Sequence, residues 1–218
     1  MKKLLSTMIL CLCAISISAQ ALKQQGASAE QIVPEGWEHE EALGDLNKDG
    51  VKDLVVLAKP NFKENMQTRD DGYEYNFNPY ILAIYFGQAD GGFMQWKQYK
   101  DLFEPDSEWT TNDVDVEITE RGTLNISTNF FASAGSYGTN QTKYTFRFQN
   151  GDFYLIGKES TDMMRNTGEM TTVSENYLTW KRQVKKSNFS EDTPPTEKWT
   201  RLAKKPLEKL GARHLGNE

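Results

Sequence analysis

The stretch that decides the fold is ALGDLNKDGVKDLVVLA at residues 42–58. Its second half, LVVLA at 54–58, is a continuous apolar run rich in β-branched residues, and Pro60 follows it closely. A run of this length fits a strand that is buried on both faces. The first half places Asp or Asn at positions 45, 47, 49 and 53. The stretch therefore predicts a tight polar loop that leads directly into a core strand.

The polar loop has the composition of a calcium site. Alternate positions carry side-chain oxygens, and Gly50 permits a sharp turn between them. Calcium is a hard cation that takes six to eight oxygen ligands, and carboxylates held this close repel one another unless a cation lies between them. We therefore expect one Ca²⁺ ion. Its expected ligands are Asp45, Asn47, Asp49, the carbonyl of Val51, and Asp53. The alternative is an Asx-rich turn whose side chains cap their own backbone.

The spacing separates this loop from an EF-hand, which needs a Glu at position 12 and flanking helices. Counted from Asp45, position 12 is Val56, inside the predicted strand. GDLNKDGVKDLVVL at 44–57, together with YILAIYFGQADGGF at 80–93, resembles instead the FG-GAP/VCBS type of calcium loop found in integrin-α-like β-propellers. The resemblance covers residues 42–96 and implies a calcium loop between strands. A propeller needs about four to eight blades, so a single loop predicts no full multi-blade propeller.

The rest of the chain also predicts β-structure. Apolar and polar residues alternate as in half-buried strands, and Asn150-Gly151 is a strong type I′ hairpin signal. The predicted segments are 80–86, 93–99, 113–118, 124–130, 144–149 and 153–156, with 171–181 as a further candidate. We expect about seven to nine strands and no long helix. The predicted fold is mostly β, with antiparallel strands and hairpins and one calcium loop between strands.

The N-terminus has the pattern of an export signal. Lys2 and Lys3 precede an apolar stretch at 4–17, and Ala19-Gln20-Ala21 offers small residues for cleavage after Ala19 or after Ala21. The stretch is too short to span about 30 Å of hydrocarbon, and no other transmembrane segment is predicted. We therefore expect a signal peptide at 1–21 and a periplasmic or secreted protein. Both cysteines lie in the signal peptide, so the mature protein is expected to contain none.

The predicted organisation of the remaining chain is simple. A polar lead-in at 22–33 is followed by one β-rich domain at 34–218 that ends in a basic segment. From PEGW at 34–37 to YTFRFQNGDFYLIG at 144–157, the chain resembles a widespread group of exported bacterial proteins of unknown function. That resemblance implies an architecture and no activity.

Composition excludes several classes of function. The formal net charge is −6, which argues against a general nucleic-acid binder. His39 and His214 are the only histidines, and no GxSxG, SxxK or HExxH motif is present. We therefore predict no catalytic residue, and we interpret the acidic positions of 113–117 as the solvated face of a strand.

Two further segments are candidates for binding. Residues 130–142 (FFASAGSYGTNQT) combine an aromatic residue with small and amide residues, which suits a sugar or peptide; the alternative is a flexible connection between strands. Residues 181–214 carry ten basic residues and four acidic ones. This excess suits an acidic partner or an anionic envelope surface, or it simply offsets the acidic N-terminal half.

Three functions follow from these patterns. The first is a binding or structural module of the bacterial cell envelope, with an envelope glycan or protein as ligand. The second is a hydrolase of envelope glycan or peptide, and the third is an inhibitor or accessory subunit. Carboxylates about 5–10 Å apart in a cleft would favour the hydrolase, whereas an exposed aromatic patch would favour the binding module.

Overall fold

Residues 54–58 lie at the centre of a sheet, as their apolar run predicts. The computed structural model describes residues 21–68, 70 and 72–216, and in it the whole strand Asp53–Lys59 is buried. Val55 and Leu57 pack into the main core, whereas Leu54, Val56 and Ala58 pack on the opposite face. The strand is apolar throughout because both of its faces are covered.

Fourteen strands and two short helical segments occur in the described residues. The strands are β1 (Gln25–Gly26), β2 (Glu38–Gly44), β3 (Asp53–Lys59), β4 (Met66–Thr68), β5 (Glu74–Asn76), β6 (Ile81–Gly87), β7 (Phe93–Tyr99), β8 (Thr110–Ile118), β9 (Thr123–Ala132), β10 (Gly138–Gln149), β11 (Asp152–Met164), β12 (Glu169–Asn176), β13 (Lys181–Asn188) and β14 (Thr196–Arg201). The helical segments are α1 (Ala29–Ile32) and a 3₁₀ turn (Lys63–Asn65).

The strands form two main antiparallel sheets and one small hairpin. The first sheet has the order β1-β7-β6-β3-β2, and the second is a meander in the order β14-β13-β12-β11-β10-β9-β8; β4 pairs with β5. The predicted fold class is confirmed, since the fold is mostly β, antiparallel and not a closed propeller. The strand count exceeds the predicted seven to nine because β1, β4 and β5 are very short and because β13 and β14 lack a clear apolar alternation. The candidate strand at 171–181 corresponds to β12, which ends earlier, at Asn176.

The main core lies between the two sheets. Its fully buried side chains include Leu57 and Ile84 from the first sheet and Ile126, Tyr144 and Phe153 from the second. Contact between the sheets is closest where β2 passes β8. A Cβ atom added to Gly44 would lie 2.4 Å from the Cγ2 atom of Ile118, so only glycine allows this approach.

The segment 22–33, expected as a polar lead-in, belongs to the packed fold. Leu22, Ala29 and Ile32 are buried against the outer face of the first sheet, together with Trp37. The Lys23 N–H donates to the Ile32 carbonyl at 3.0 Å, which closes the segment on itself. Its polar residues face solvent, and its few apolar ones cover the second face of β3.

The turn at Asn150-Gly151 is confirmed. Asn150 has φ +51° and Gly151 has φ +76°, and a type I′ turn requires positive φ at both positions. The turn joins β10 to β11, which pair along their whole length with one irregularity between Thr145 and Phe146.

The second sheet extends beyond the core. Strands β12, β13 and β14, here called the wing, contribute no residue to either core cluster among the described residues. The segment 202–216 then returns from the wing across β11, where the Leu155 N–H donates to the Glu208 carbonyl and the Leu210 N–H to the Phe153 carbonyl. Leu210 and Leu215 bury their side chains in the main core.

Candidate functional site

The predicted calcium loop connects the hairpin strands β2 and β3. Gly44 pairs with Asp53 at its base, so residues 45–52 form the loop between two paired strands. Lys48 and Gly50 have φ values of +64° and +86°. The positive φ values of these two residues give the chain a tight turn. This is the turn that Gly50 was expected to permit.

Three of the predicted ligands turn their side chains into the loop. Asp45 accepts from the Lys48 N–H at 2.7 Å and from the Gly50 N–H at 3.0 Å. Asn47 accepts from the Asp49 N–H at 3.0 Å, and its amide donates to Asp49 Oδ2 at 2.9 Å. Asp49 Oδ1 accepts from the Val51 N–H at 2.8 Å. The loop therefore draws the side chains of Asp45, Asn47 and Asp49 together.

Asp53 has a different position, at the start of a core strand. Its side chain is fully buried. Oδ2 accepts from the Leu46 N–H at 2.8 Å and from the Asn47 N–H at 3.3 Å, and Oδ1 accepts from the Gly87 N–H at 2.9 Å. Gly87 ends β6, so one carboxylate joins the loop to two strands. This anchoring role was not predicted from the sequence.

Burial and hydrogen bonding shift the pKa of the Asp53 carboxyl in opposite directions. Burial raises the pKa of its carboxyl, and the nearby charge of Asp49 raises it further, although the three backbone N–H groups favour the ionised form. The net direction is upward. A cation at the loop would favour the ionised form in the same way as the N–H groups do.

The donor set fits a hard cation. Asp45, Asn47 and Asp49 present oxygen atoms from one exposed loop, and oxygen is what calcium takes. Within the described residues, no group of three or more His, Cys, Asp or Glu side chains is arranged to hold a metal. The observed hydrogen bonds are also those of the Asx turn. The two interpretations are compatible, since a carboxylate oxygen that accepts one N–H has a second lone pair.

The second candidate, the segment 130–142, contains a turn at 133–137 that hydrogen bonds from Arg165 hold in place. The Arg165 guanidinium donates to the carbonyls of Ala132 at 2.7 Å, Ser136 at 2.9 Å and Tyr137 at 3.2 Å. It also lies 4.3 Å from the ring centroid of Phe131. The turn is therefore held by one cation, which argues against a purely flexible connection. No local sequence signal identifies Arg165, because its partners lie about thirty residues earlier.

Exposed aromatic and apolar side chains surround this turn. The four residues are Trp109, Phe131, Tyr137 and Met164, with exposed fractions of 56%, 42%, 63% and 40%. Strand pairing brings them to one end of the second sheet, since Gly138 lies opposite Met164 and the Ser133 N–H donates to the Trp109 carbonyl. A surface cavity of about 670 Å³ is lined by the turn itself, Tyr137 included, and by Arg165 and Asn166. We call these four residues the aromatic end.

The remaining candidates are not brought together. His39 lies on β2 opposite Ala58, whereas His214 lies in the C-terminal segment, with Nδ1 3.3 Å from Glu104 Oε1. Asp113, Asp115 and Glu117 are exposed on one face of β8, as expected for a solvated strand face.

Comparisons with protein-family models, curated proteins and solved structures find no match to this chain. The resemblance of residues 42–96 to FG-GAP/VCBS loops therefore stays a prediction. No helix of the described residues is long and apolar enough to cross a membrane. The predicted signal peptide at 1–21 lies, apart from Ala21, outside the described residues.

Proposed function

We propose that the chain is an exported β-domain of the bacterial cell envelope that binds one Ca²⁺ ion and acts as a binding or structural module. The export signal at 1–21 supports a periplasmic or secreted location. The observation that carries the calcium proposal is the position of Asp53. Its buried carboxylate joins the oxygen-rich loop to β3 and β6, so an ion that orders the loop also orders the first sheet.

Each predicted ligand has a defined part in this proposal. Asp45, Asn47 and Asp49 supply side-chain oxygens from the exposed side of the loop, and Val51 supplies its carbonyl. Asp53 closes the site while its hydrogen bonds hold the loop against the sheet. The ion would supply positive charge that offsets the repulsion among the three carboxylates.

Titration calorimetry tests calcium binding. Residues 22–218 are expected to bind one Ca²⁺ ion with a dissociation constant of roughly 10⁻⁴–10⁻³ M, the range of extracellular sites. Asp49→Ala should abolish the binding heat. Asp90→Ala is the matched control, because Asp90 is also an exposed loop aspartate that accepts a backbone N–H. Unchanged binding by Asp49→Ala would contradict the assignment of the ligands.

The aromatic end supports the binding-module part of the proposal. The exposed ring of Tyr137 lines the cavity, where it can stack on a sugar ring, and a turn already held by Arg165 loses little entropy on binding. We infer that the ligand is an envelope glycan. Soluble peptidoglycan fragments should quench the tryptophan fluorescence of the protein, and Tyr137→Ala should weaken this response at least about tenfold. Tyr73→Ala, an equally exposed tyrosine outside this end (61%), should leave it unchanged. An equal response in all three proteins would contradict a site at the aromatic end.

A further inference from the structure

Strand β14 leaves one edge of the second sheet open. In the part of the chain that the structure describes, β14 pairs with β13 alone. All six of its residues, Thr196–Arg201, are exposed, and Trp199 is 60% exposed. An exposed edge of this kind presents backbone N–H and C=O groups that can pair with another strand.

The strand register identifies the backbone groups that face outward. The Leu202 N–H donates to the Trp180 carbonyl at 2.8 Å, and this pair continues the register in which Arg201 lies opposite Lys181. Hydrogen-bonded and non-hydrogen-bonded pairs alternate in an antiparallel ladder. Thr196, Lys198 and Thr200 therefore bond toward β13. The N–H and C=O groups at 197, 199 and 201 point away from the sheet.

The two outermost strands and the residues next to them are basic, although the whole chain is acidic. Residues 181–205 contain eight basic residues and three acidic ones, a formal net charge of +5, whereas the whole chain carries −6. Side chains of alternate residues share a face, so Glu197, Trp199 and Arg201 lie on one face and Lys198 lies on the other. Beside Trp199, a groove of about 400 Å³ is lined by charged residues of both signs: Lys143, Lys158, Lys181, Glu159 and Glu175.

We propose that the open edge of β14 binds an extended acidic segment of another polypeptide as an additional antiparallel or parallel strand. The three outward-facing residues supply the backbone hydrogen bonds, and Lys198 on one face and Arg201 on the other select for acidic side chains within the segment of net charge +5. A second copy of this chain is disfavoured at the edge, because two surfaces of charge +5 repel each other. The inference goes beyond the proposed function and depends neither on calcium nor on the aromatic end.

A pair of synthetic peptides tests the charge requirement. The acidic probe is the octapeptide acetyl-(Thr-Glu)₄-amide, and the control is acetyl-(Thr-Lys)₄-amide. Fluorescence of Trp199 should change on addition of the acidic peptide, and Trp199→Ala should remove most of that change. The basic peptide should give no change. Binding should weaken as salt is added, since exposed charges are screened.

Two backbone changes test strand addition. Trp199→Pro removes one outward N–H and leaves the hydrogen bonds to β13 intact. By calorimetry it should bind the acidic peptide about fivefold to tenfold more weakly than Trp199→Ala, which loses the side chain alone. The same peptide N-methylated at two adjacent central residues should not bind the wild-type protein. This second change leaves the protein unaltered, so it stays informative even if Trp199→Pro unfolds the wing.

Two results would overturn the proposal. If the N-methylated and unmodified acidic peptides bind equally, the wing is a general surface for polyanions and not a strand acceptor. If neither peptide binds, the charges of β14 protect the edge from pairing, as lysine does on many edge strands.

Discussion

Asp53 connects the loop to the sheet through three hydrogen bonds from the backbone N–H groups of Leu46, Asn47 and Gly87. A buried carboxylate that accepts three backbone N–H groups holds the loop against the sheet even without a metal ion. Its role as an anchor is therefore separable from its predicted role as a calcium ligand. The free energy of unfolding of substituted proteins, measured in chelator, distinguishes the anchoring role from the role as a calcium ligand.

Asp53→Asn should lower the free energy of unfolding by about 2–4 kcal/mol in chelator. Asparagine keeps one acceptor oxygen but places an N–H₂ group opposite an N–H donor, which leaves a buried donor without a partner. Urea unfolding followed by circular dichroism measures the change. The matched control is Asp49→Asn, an exposed position, which should change the stability in chelator by less than about 0.5 kcal/mol. Equal stability of the two variants would contradict the anchoring role.

Gly151→Val tests whether the turn between β10 and β11 requires a positive φ at residue 151. A Cβ added to Gly151 meets no atom of the described residues within 4 Å, so the cost comes from the backbone alone. A β-branched residue at φ +76° should destabilise the protein by about 1–3 kcal/mol. Asn150→Gly, which also permits positive φ, should have a much smaller effect. Thermal melting compares the three proteins, and an unchanged midpoint for Gly151→Val would show that the turn tolerates a negative φ.

The sequence separation of the residues in a contact decides whether the sequence reveals that feature of the site. Asn150-Gly151 and the loop at 45–53 are local patterns, because the turn geometry depends on neighbouring residues. The hydrogen bond from Gly87 to Asp53 joins residues 34 positions apart, and those of Arg165 join residues 28 to 33 apart. Such contacts exist only once the sheets have formed, so no local pattern predicts them.

At the scale of elements, burial decides which strands can be predicted. Strand β3 is buried on both faces and has a continuous apolar run, whereas β8 has one buried face and alternates. Strand β14 buries neither face, so its composition resembles that of a loop. The same reasoning explains the segment 22–33, where four buried apolar residues are enough to cover a sheet although most of the segment is polar.

The contact between β2 and β8 gives a prediction at this scale. Gly44→Ala should destabilise the fold by about 1–3 kcal/mol, because the new methyl group would overlap the Cγ2 atom of Ile118. Ile118→Ala removes that atom and costs stability by itself through lost packing. Combined, the two substitutions should cost about 1 kcal/mol less than the sum of the single effects. A double-mutant cycle by urea unfolding measures the coupling, and strict additivity would contradict the close approach of the two strands.

For the whole molecule, the sequence predicts the class of fold but not the order of its strands. The second sheet is a meander, so each strand pairs with its neighbour in sequence. The first sheet also contains the pairs β1–β7 and β3–β6, which no hairpin signal indicates. The excess of basic residues at 181–205 is visible in the sequence. Only the structure shows that this segment contains an open edge strand.

The central claim is that calcium at the loop stabilises the whole β fold. Differential scanning calorimetry of residues 22–218 in chelator and in millimolar calcium tests it most directly. With free calcium about ten times the dissociation constant, binding adds about 1.4 kcal/mol, which raises the melting temperature by about 3–6 °C for a chain of this size. Asp49→Ala should show no response to calcium. Identical melting of the wild-type protein in chelator and in millimolar calcium would contradict the account.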